Sequence, residues 1–117
     1  ERLKDIMREF APEAVAIESI FFSKNVRSAI MLGHVRGVAL ICAASMGIEA
    51  FEYSPRSIKE SVVGYGAATK DQVQKMVQVL LKKNKKNVFF TPDAADALAA
   101  AICHIHTNGP NAKAART

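Results

Sequence analysis

The apolar positions of this chain fall into a series of short periodic runs. Leu3, Ile6, Met7 and Phe10 recur at helical spacing and predict a helix over residues 1–10, closed by Pro12. No capping residue precedes Glu1, so the pattern reads as the back part of a longer helix. Ala14-Val15-Ala16-Ile17 is apolar on both faces, the signature of a central parallel strand covered by helices. Asn25 can cap a helix over residues 26–46, ended by Gly47. Ala29, Gly33 and Gly37 repeat along it at spacing four, and interior glycines point to a close backbone approach by the sheet or by a second subunit. Ile48-Glu49-Ala50-Phe51-Glu52-Tyr53 alternates like a strand.

The second half reads as helices. Ser54-Pro55 opens one that runs to Val63, and Gly64-Tyr65-Gly66 makes a turn. Thr69-Lys70-Asp71-Gln72 is a capping box, followed by the stripe Val73, Met76, Val77, Leu80 and Leu81. The lysine-rich run over residues 82–87 suits a helix C-terminus or a solvated end. Val88-Phe89-Phe90 leads to Thr91-Pro92, an N-cap and first helical residue. A tail over residues 107–117 is polar and expected to be mobile. The order helix, strand, helix, strand, helices predicts one α/β domain over residues 1–106. Two strands are too few for an ordinary sheet, so further strands are expected in front of Glu1.

The chain has 117 residues, enough for one core, and half of them are hydrophobic. Cys42 and Cys103 sit in apolar segments and read as reduced core residues, which with no signal peptide and no apparent bilayer-spanning run predicts a cytoplasmic protein. The net charge of +5 is uneven: residues 1–58 hold seven basic and seven acidic residues, whereas 59–117 hold nine basic and four acidic. A basic surface around carboxylates suits a polyanionic substrate, with metal neutralising the acids.

The candidate chemistry is carboxylate chemistry. Asp93 and Asp96 share a helix face, and every other residue from Asp93 to Cys103 is alanine, leucine, isoleucine or cysteine. A helix so apolar is expected to be buried, and a buried carboxylate must be paired, protonated or metal-bound. Asp93 also suits the helix dipole in the first turn, so Asp96 is the more telling of the two. Glu18 ends the first strand. Three acids from a strand end and a helix face form an oxygen-donor set for a divalent metal. His104 and His106, two apart on a helix, do not face each other and are expected to be structural, and His34 is expected at a helix surface or interface.

The ordered series Ala16-Ile17-Glu18-Ser19-Ile20-Phe21-Phe22, Lys24-Asn25, Gly33-His34-Val35-Arg36-Gly37-Val38-Ala39, Tyr53-Ser54-Pro55-Arg56-Ser57-Ile58-Lys59, Val62-Val63-Gly64-Tyr65-Gly66, Thr69-Lys70-Asp71-Gln72-Val73-Gln74 and Pro92-Asp93-Ala94-Ala95-Asp96-Ala97-Leu98-Ala99 resembles the RuvC family of bacterial Holliday junction resolvases. The resemblance implies a ribonuclease-H-like fold, with the family's first strands absent from this chain. It implies a dimeric endodeoxyribonuclease that nicks four-way DNA junctions symmetrically in recombination and repair, beside a RuvA–RuvB branch-migration complex. It makes Glu18, Asp93 and Asp96 catalytic metal ligands for Mg2+, with Mn2+ as a substitute and two ions per site. Two such ions about 3.5–4 Å apart activate water and stabilise the leaving oxygen. It also makes Lys59 and Lys70 DNA-backbone contacts and Phe21 an aromatic that stacks on bases near the junction point. The family's fourth ligand, an aspartate in a Gly-Ile-Asp-Pro-Gly-like strand, has no counterpart here. The competing expectation is therefore a junction-binding dimer without catalysis.

Overall fold

The computed structural model describes residues 2–20, 25–81 and 90–108. The chain divides into two compact units, Glu1–Glu52 and Tyr53–Thr117.

The first unit holds α1 (Arg2–Phe10), β1 (Ala14–Glu18), α2 (Val26–Ser45) and β2 (Glu49–Tyr53), whose last residue belongs to the second unit. β1 and β2 form a two-stranded parallel sheet, with α2 as the crossover that parallel neighbours require. Asn25 caps α2 as its sequence suggests: its side chain accepts from the Ser28 N–H at 2.8 Å. Met7, Cys42 and Ala43 form the core, with Leu3, Val15, Met46, Ile48 and Ala50 packed around them. The α1 stripe is only partly used, because Ile6 and Phe10 are exposed. β1 is half-buried along its whole length. It has the apolar character of a central strand, and one strand neighbour among the described residues.

α2 amends one expectation. An 18-residue stretch of this 20-residue helix reaches a mean hydropathy of 1.5, enough by length and composition to cross a membrane, although the sequence was expected to hold no such run. Alanine, glycine and aliphatic residues dilute its charges in any average. Yet Arg36, near its middle, is tied by a two-pronged ion pair to Glu52 at the end of β2. An ion pair to a neighbouring strand suits a helix of an α/β layer.

The second unit packs α3 (Pro55–Val63), α4 (Lys70–Leu81) and α5 (Pro92–Asn108). Each start follows local chemistry. The Ser54 hydroxyl accepts from the Ser57 N–H at 3.1 Å, with Pro55 in the first turn. Thr69 and Gln72 exchange reciprocal bonds of 2.8 and 3.1 Å, completing the capping box. Thr91 accepts from the Ala94 N–H at 3.1 Å. Gly64 ends α3 at φ +104, a left-handed conformation that a side chain would strain. The core comprises Ile58, Val62, Ala68, Val73, Val77, Ala95, Ala99, Ala100, Ile102 and Cys103. Cys42 and Cys103 are both free and buried. α5 runs to Asn108, so the boundary expected at residue 107 falls inside a helix; the tail beyond, and the lysine-rich run, lie outside the described residues.

Candidate metal and nucleic-acid site

α5 carries the acidic pair. The Thr91 cap and Pro92 fix where the helix starts, which puts Asp93 in its first turn and Asp96 on the next. The buried side of α5 is made by Ala95, Ala99, Ala100, Ile102 and Cys103. This corrects the expectation of a helix buried all round: Asp93 is exposed and Asp96 is half-exposed. Alanine is compatible with either environment, so an alanine-rich helix hides its amphipathic character from a hydrophobicity pattern.

Asp96 is paired. Lys70, the first residue of α4, places its Nζ 3.2 Å from Asp96 Oδ2. The pair joins residues 26 apart in sequence, and no spacing rule could have found it. Lys59 is half-buried on α3 and has no ion-pair partner among the described residues. The two lysines therefore differ: one is already engaged by a carboxylate, the other is available to an anion.

In the first unit, Glu18 ends β1 and is half-buried. It lines a cavity of about 110 Å³ with Ile17, Leu32, Val35 and Arg36. The neighbouring Arg36 is held by Glu52, its Nη2 donating to Glu52 Oε2 at 2.9 Å. The hydrogen bond and charge of Arg36 hold the Glu52 carboxyl below its ordinary range. Phe21 lies outside the described residues.

The donor chemistry fits a hard divalent cation. Asp93 and Asp96 offer oxygen ligands on one face of α5, open to solvent. Among the described residues, no three His, Cys, Asp or Glu side chains gather to hold a metal. A metal held by the two α5 carboxylates would need further ligands from elsewhere. The histidines behave as expected of structural residues. His106 Nδ1 lies 3.0 Å from both the hydroxyl and the carbonyl oxygen of Ser61. His104 Nδ1 lies 2.6 Å from Tyr53 Oη, which accepts from Asn108 Nδ2 at 2.7 Å. Burial pushes the Tyr53 phenol above its ordinary range, against the opposing effect of the Asn108 bond. The sequence reading missed this three-residue cluster. Its only signal was a polar pair, His104 and Asn108, one turn apart near the end of α5.

A family profile described as crossover junction endodeoxyribonuclease RuvC matches residues 1–104. The chain belongs to the RuvC family. It is 48% identical over 106 residues to the crossover junction endodeoxyribonuclease RuvC of Caldanaerobacter subterraneus, covering 91% of this chain and 63% of that protein. It is 56% identical over 102 residues to the RuvC of Legionella pneumophila strain Philadelphia 1, covering 87% of this chain and 57% of the relative. Among solved structures, Thermus thermophilus RuvC superposes with a TM-score of 0.79 at 33% identity, over 91% of this chain and 63% of that one. The T. thermophilus RuvC in complex with Holliday junction substrate gives 0.81 at 32% identity, over 95% and 66%. The chain thus spans about three fifths of the length of the RuvC proteins it matches. The fold is the ribonuclease-H-like α/β fold of RuvC.

Proposed function

We propose that residues 1–106 form part of the nuclease domain of a crossover junction endodeoxyribonuclease, which hydrolyses phosphodiesters in four-way DNA junctions. The match to the RuvC profile over residues 1–104 carries this reading. The likeness to a RuvC bound to Holliday junction substrate supports junction DNA as the partner. Glu18, Asp93 and Asp96 are the proposed catalytic metal ligands. Divalent metal, Mg2+ with Mn2+ as a substitute and two ions per site, supplies activation of water and stabilisation of the leaving oxygen when bound. The carboxylates fix where that chemistry occurs. Lys59 and Lys70 neutralise backbone phosphates, and Phe21 stacks on bases near the junction point. The protein works in the bacterial cytoplasm, beside a RuvA–RuvB complex.

We place the dimer contact on α2. Val26, Ile30, Met31, Val35, Val38 and Ile41 are exposed along it. A Cβ built on Gly33 or Gly37 meets nothing within 4 Å, so packing of these glycines on the chain's own described residues is not why they are small. Of the two alternatives, an approach by the sheet or by a second subunit, our reading takes the second subunit. A two-fold pair places two sites for paired nicks on a symmetric junction.

The decisive assay uses a synthetic four-way junction with Mg2+. The 117-residue chain alone is expected to bind the junction and cut it poorly. Joined to a strand bearing the family's Gly-Ile-Asp-Pro-Gly-like motif, it should make paired symmetric nicks, and Asp96→Asn should abolish them. A strand-completed protein that makes no nicks, or an Asp96→Asn variant that nicks as fast as its parent, overturns the proposal.

A further inference from the structure

α5 is held in two different ways along its length. Its N-terminal half, which carries Asp93 and Asp96, packs through Ala95, Ala99 and Ala100, each at most 2% exposed, and among the described residues its one directed side-chain contact to another helix is the solvent-open Lys70–Asp96 pair at 3.2 Å. Methyl groups make shallow ridges, and shallow ridges fix the rotation of a helix about its axis only weakly. Its C-terminal half is held by directed bonds. Tyr53, at the end of β2, bonds His104 at 2.6 Å and Asn108 at 2.7 Å. The tyrosine and imidazole rings also pack at 5.9 Å between centroids. Cys103 Sγ reaches the Ser57 carbonyl at 3.7 Å, and His106 meets Ser61.

The bonds of the cluster form a consistent chain. The Asn108 amide donates to Tyr53 Oη. Tyr53 Oη and His104 Nδ1 share a hydrogen, and either can donate while Oη still accepts from Asn108. Asn108 follows His104 by one turn, so both meet Tyr53 from one side of α5. At 3.6 residues per turn His104 lies about 20° around the helix from Asp93, and about 12 Å along it from Asp96.

We propose that Tyr53, His104 and Asn108 are positioning residues that set the rotation of α5 and thereby the places of the Asp93 and Asp96 carboxylates. The inference rests on the reading of those two acids as metal ligands. A side-chain group lies about 6 Å from a helix axis, so a turn of 10° moves it by about 1 Å. A displacement of that size at a reacting centre lowers a rate by as much as about 100-fold. The bonds act through a rigid helix, and none of the three residues needs to touch substrate or metal.

The test has a structural arm and a functional arm. In the metal-free chain, Tyr53→Phe and His104→Leu should move the backbone amide resonances of Asp93 to Ala97, two turns and more from the altered side chains. His104→Asn keeps an amide close to the Nδ1 position and should restore them. In the strand-completed protein, Tyr53→Phe and His104→Leu should lower kcat for junction cleavage by about ten- to 100-fold and raise the Mg2+ needed for half-maximal rate. Junction affinity in Ca2+ should stay within about twofold, and His104→Asn should recover the rate. A purely stabilising cluster would lower the melting temperature and leave kcat and the metal requirement of the folded protein alone. If His104→Leu fails to fold, Tyr53→Phe, which removes the hydroxyl shared by both bonds, and Asn108→Ala, which removes one of them, decide the matter. Resonance changes confined to residues 50–57 and 101–108 overturn the proposal, as does normal cleavage by Tyr53→Phe in a protein that Asp96→Asn inactivates. If Asp96→Asn cleaves normally, the reading of the acids fails, and the resonances alone judge the cluster.

Discussion

If Asp96 is a metal ligand, as proposed above, Lys70 competes with the metal for its carboxylate, and removing the lysine should tighten metal binding at α5. Lys70 Nζ sits 3.2 Å from Asp96 Oδ2, with the two side chains 67% and 32% exposed. An ion pair this open to water contributes about 0.2–1 kcal/mol. A metal that takes Asp96 from the ammonium loses that amount, which is a factor of about 1.4 to 5 in its affinity. Lys70→Ala should therefore lower the Mg2+ dissociation constant by up to about fivefold. Losing a positive charge near the site helps any cation, and Lys75→Ala controls for this. Lys75 lies on the same helix, and its Nζ pairs with Asp71 at 3.0 Å instead of Asp96. A Mg2+ titration followed through the α5 amide resonances works even at millimolar affinity. Equal tightening in the two variants, or weaker binding in Lys70→Ala, would refute direct competition. The same variant should bind junction DNA less well, so one substitution moves metal and DNA affinity in opposite directions.

The other predictions concern different surfaces. Lys59→Ala should flatten the salt dependence of junction binding by about 0.9 in the log–log slope, the share of one phosphate contact; an unchanged slope returns it to the class of ordinary surface lysines. A Cβ at Gly33 meets nothing within 4 Å among the described residues, so Gly33→Leu should give a folded monomer, read by sedimentation with circular dichroism. A folded mutant dimer removes α2 from the interface. Glu52, held below its ordinary value of 4.5 by Arg36, stabilises the folded state above that pH and loses the contribution as pH falls through its folded value. The melting-temperature gap between the parent and Glu52→Gln should therefore be full at pH 7 and close at acid pH. A gap of constant size from pH 7 to pH 3 contradicts the assignment.

The parts of the structure legible in the sequence are those written in local chemistry. Asn25, Ser54, Thr69 with Gln72, and Thr91 each cap the helix that their side chains can reach, because a cap is settled within three or four residues. The position of Asp93 and Asp96 on one helix followed from spacing alone. What stayed hidden depends on residues far apart in the chain. Arg36 and Glu52 are 16 residues apart, and Tyr53 meets His104 across 51. The exposure of the acidic pair was misjudged for a different reason: the residues around it are mostly alanine, which carries little information about which side faces water. The ordered motifs identified the family from residues that individually say little, while the relation between Glu18 and the α5 acids still rests on that resemblance.

The alanines of α5 have a consequence for how this protein can vary. Ala95, Ala99 and Ala100 are 2%, 1% and 2% exposed. At most core positions a sequence can drift by trading a large side chain for a smaller one. Here that route leads only to glycine, which costs about 1 kcal/mol per helical site. Every other replacement adds atoms to a closed space, and overpacking costs about 1–3 kcal/mol. The helix that bears the acids is therefore confined from both directions by volume, apart from any demand made by chemistry. In a saturation mutagenesis survey scored for folding alone, these three positions should accept fewer residues than Val73 or Ile58, although their side chains are among the smallest in the core.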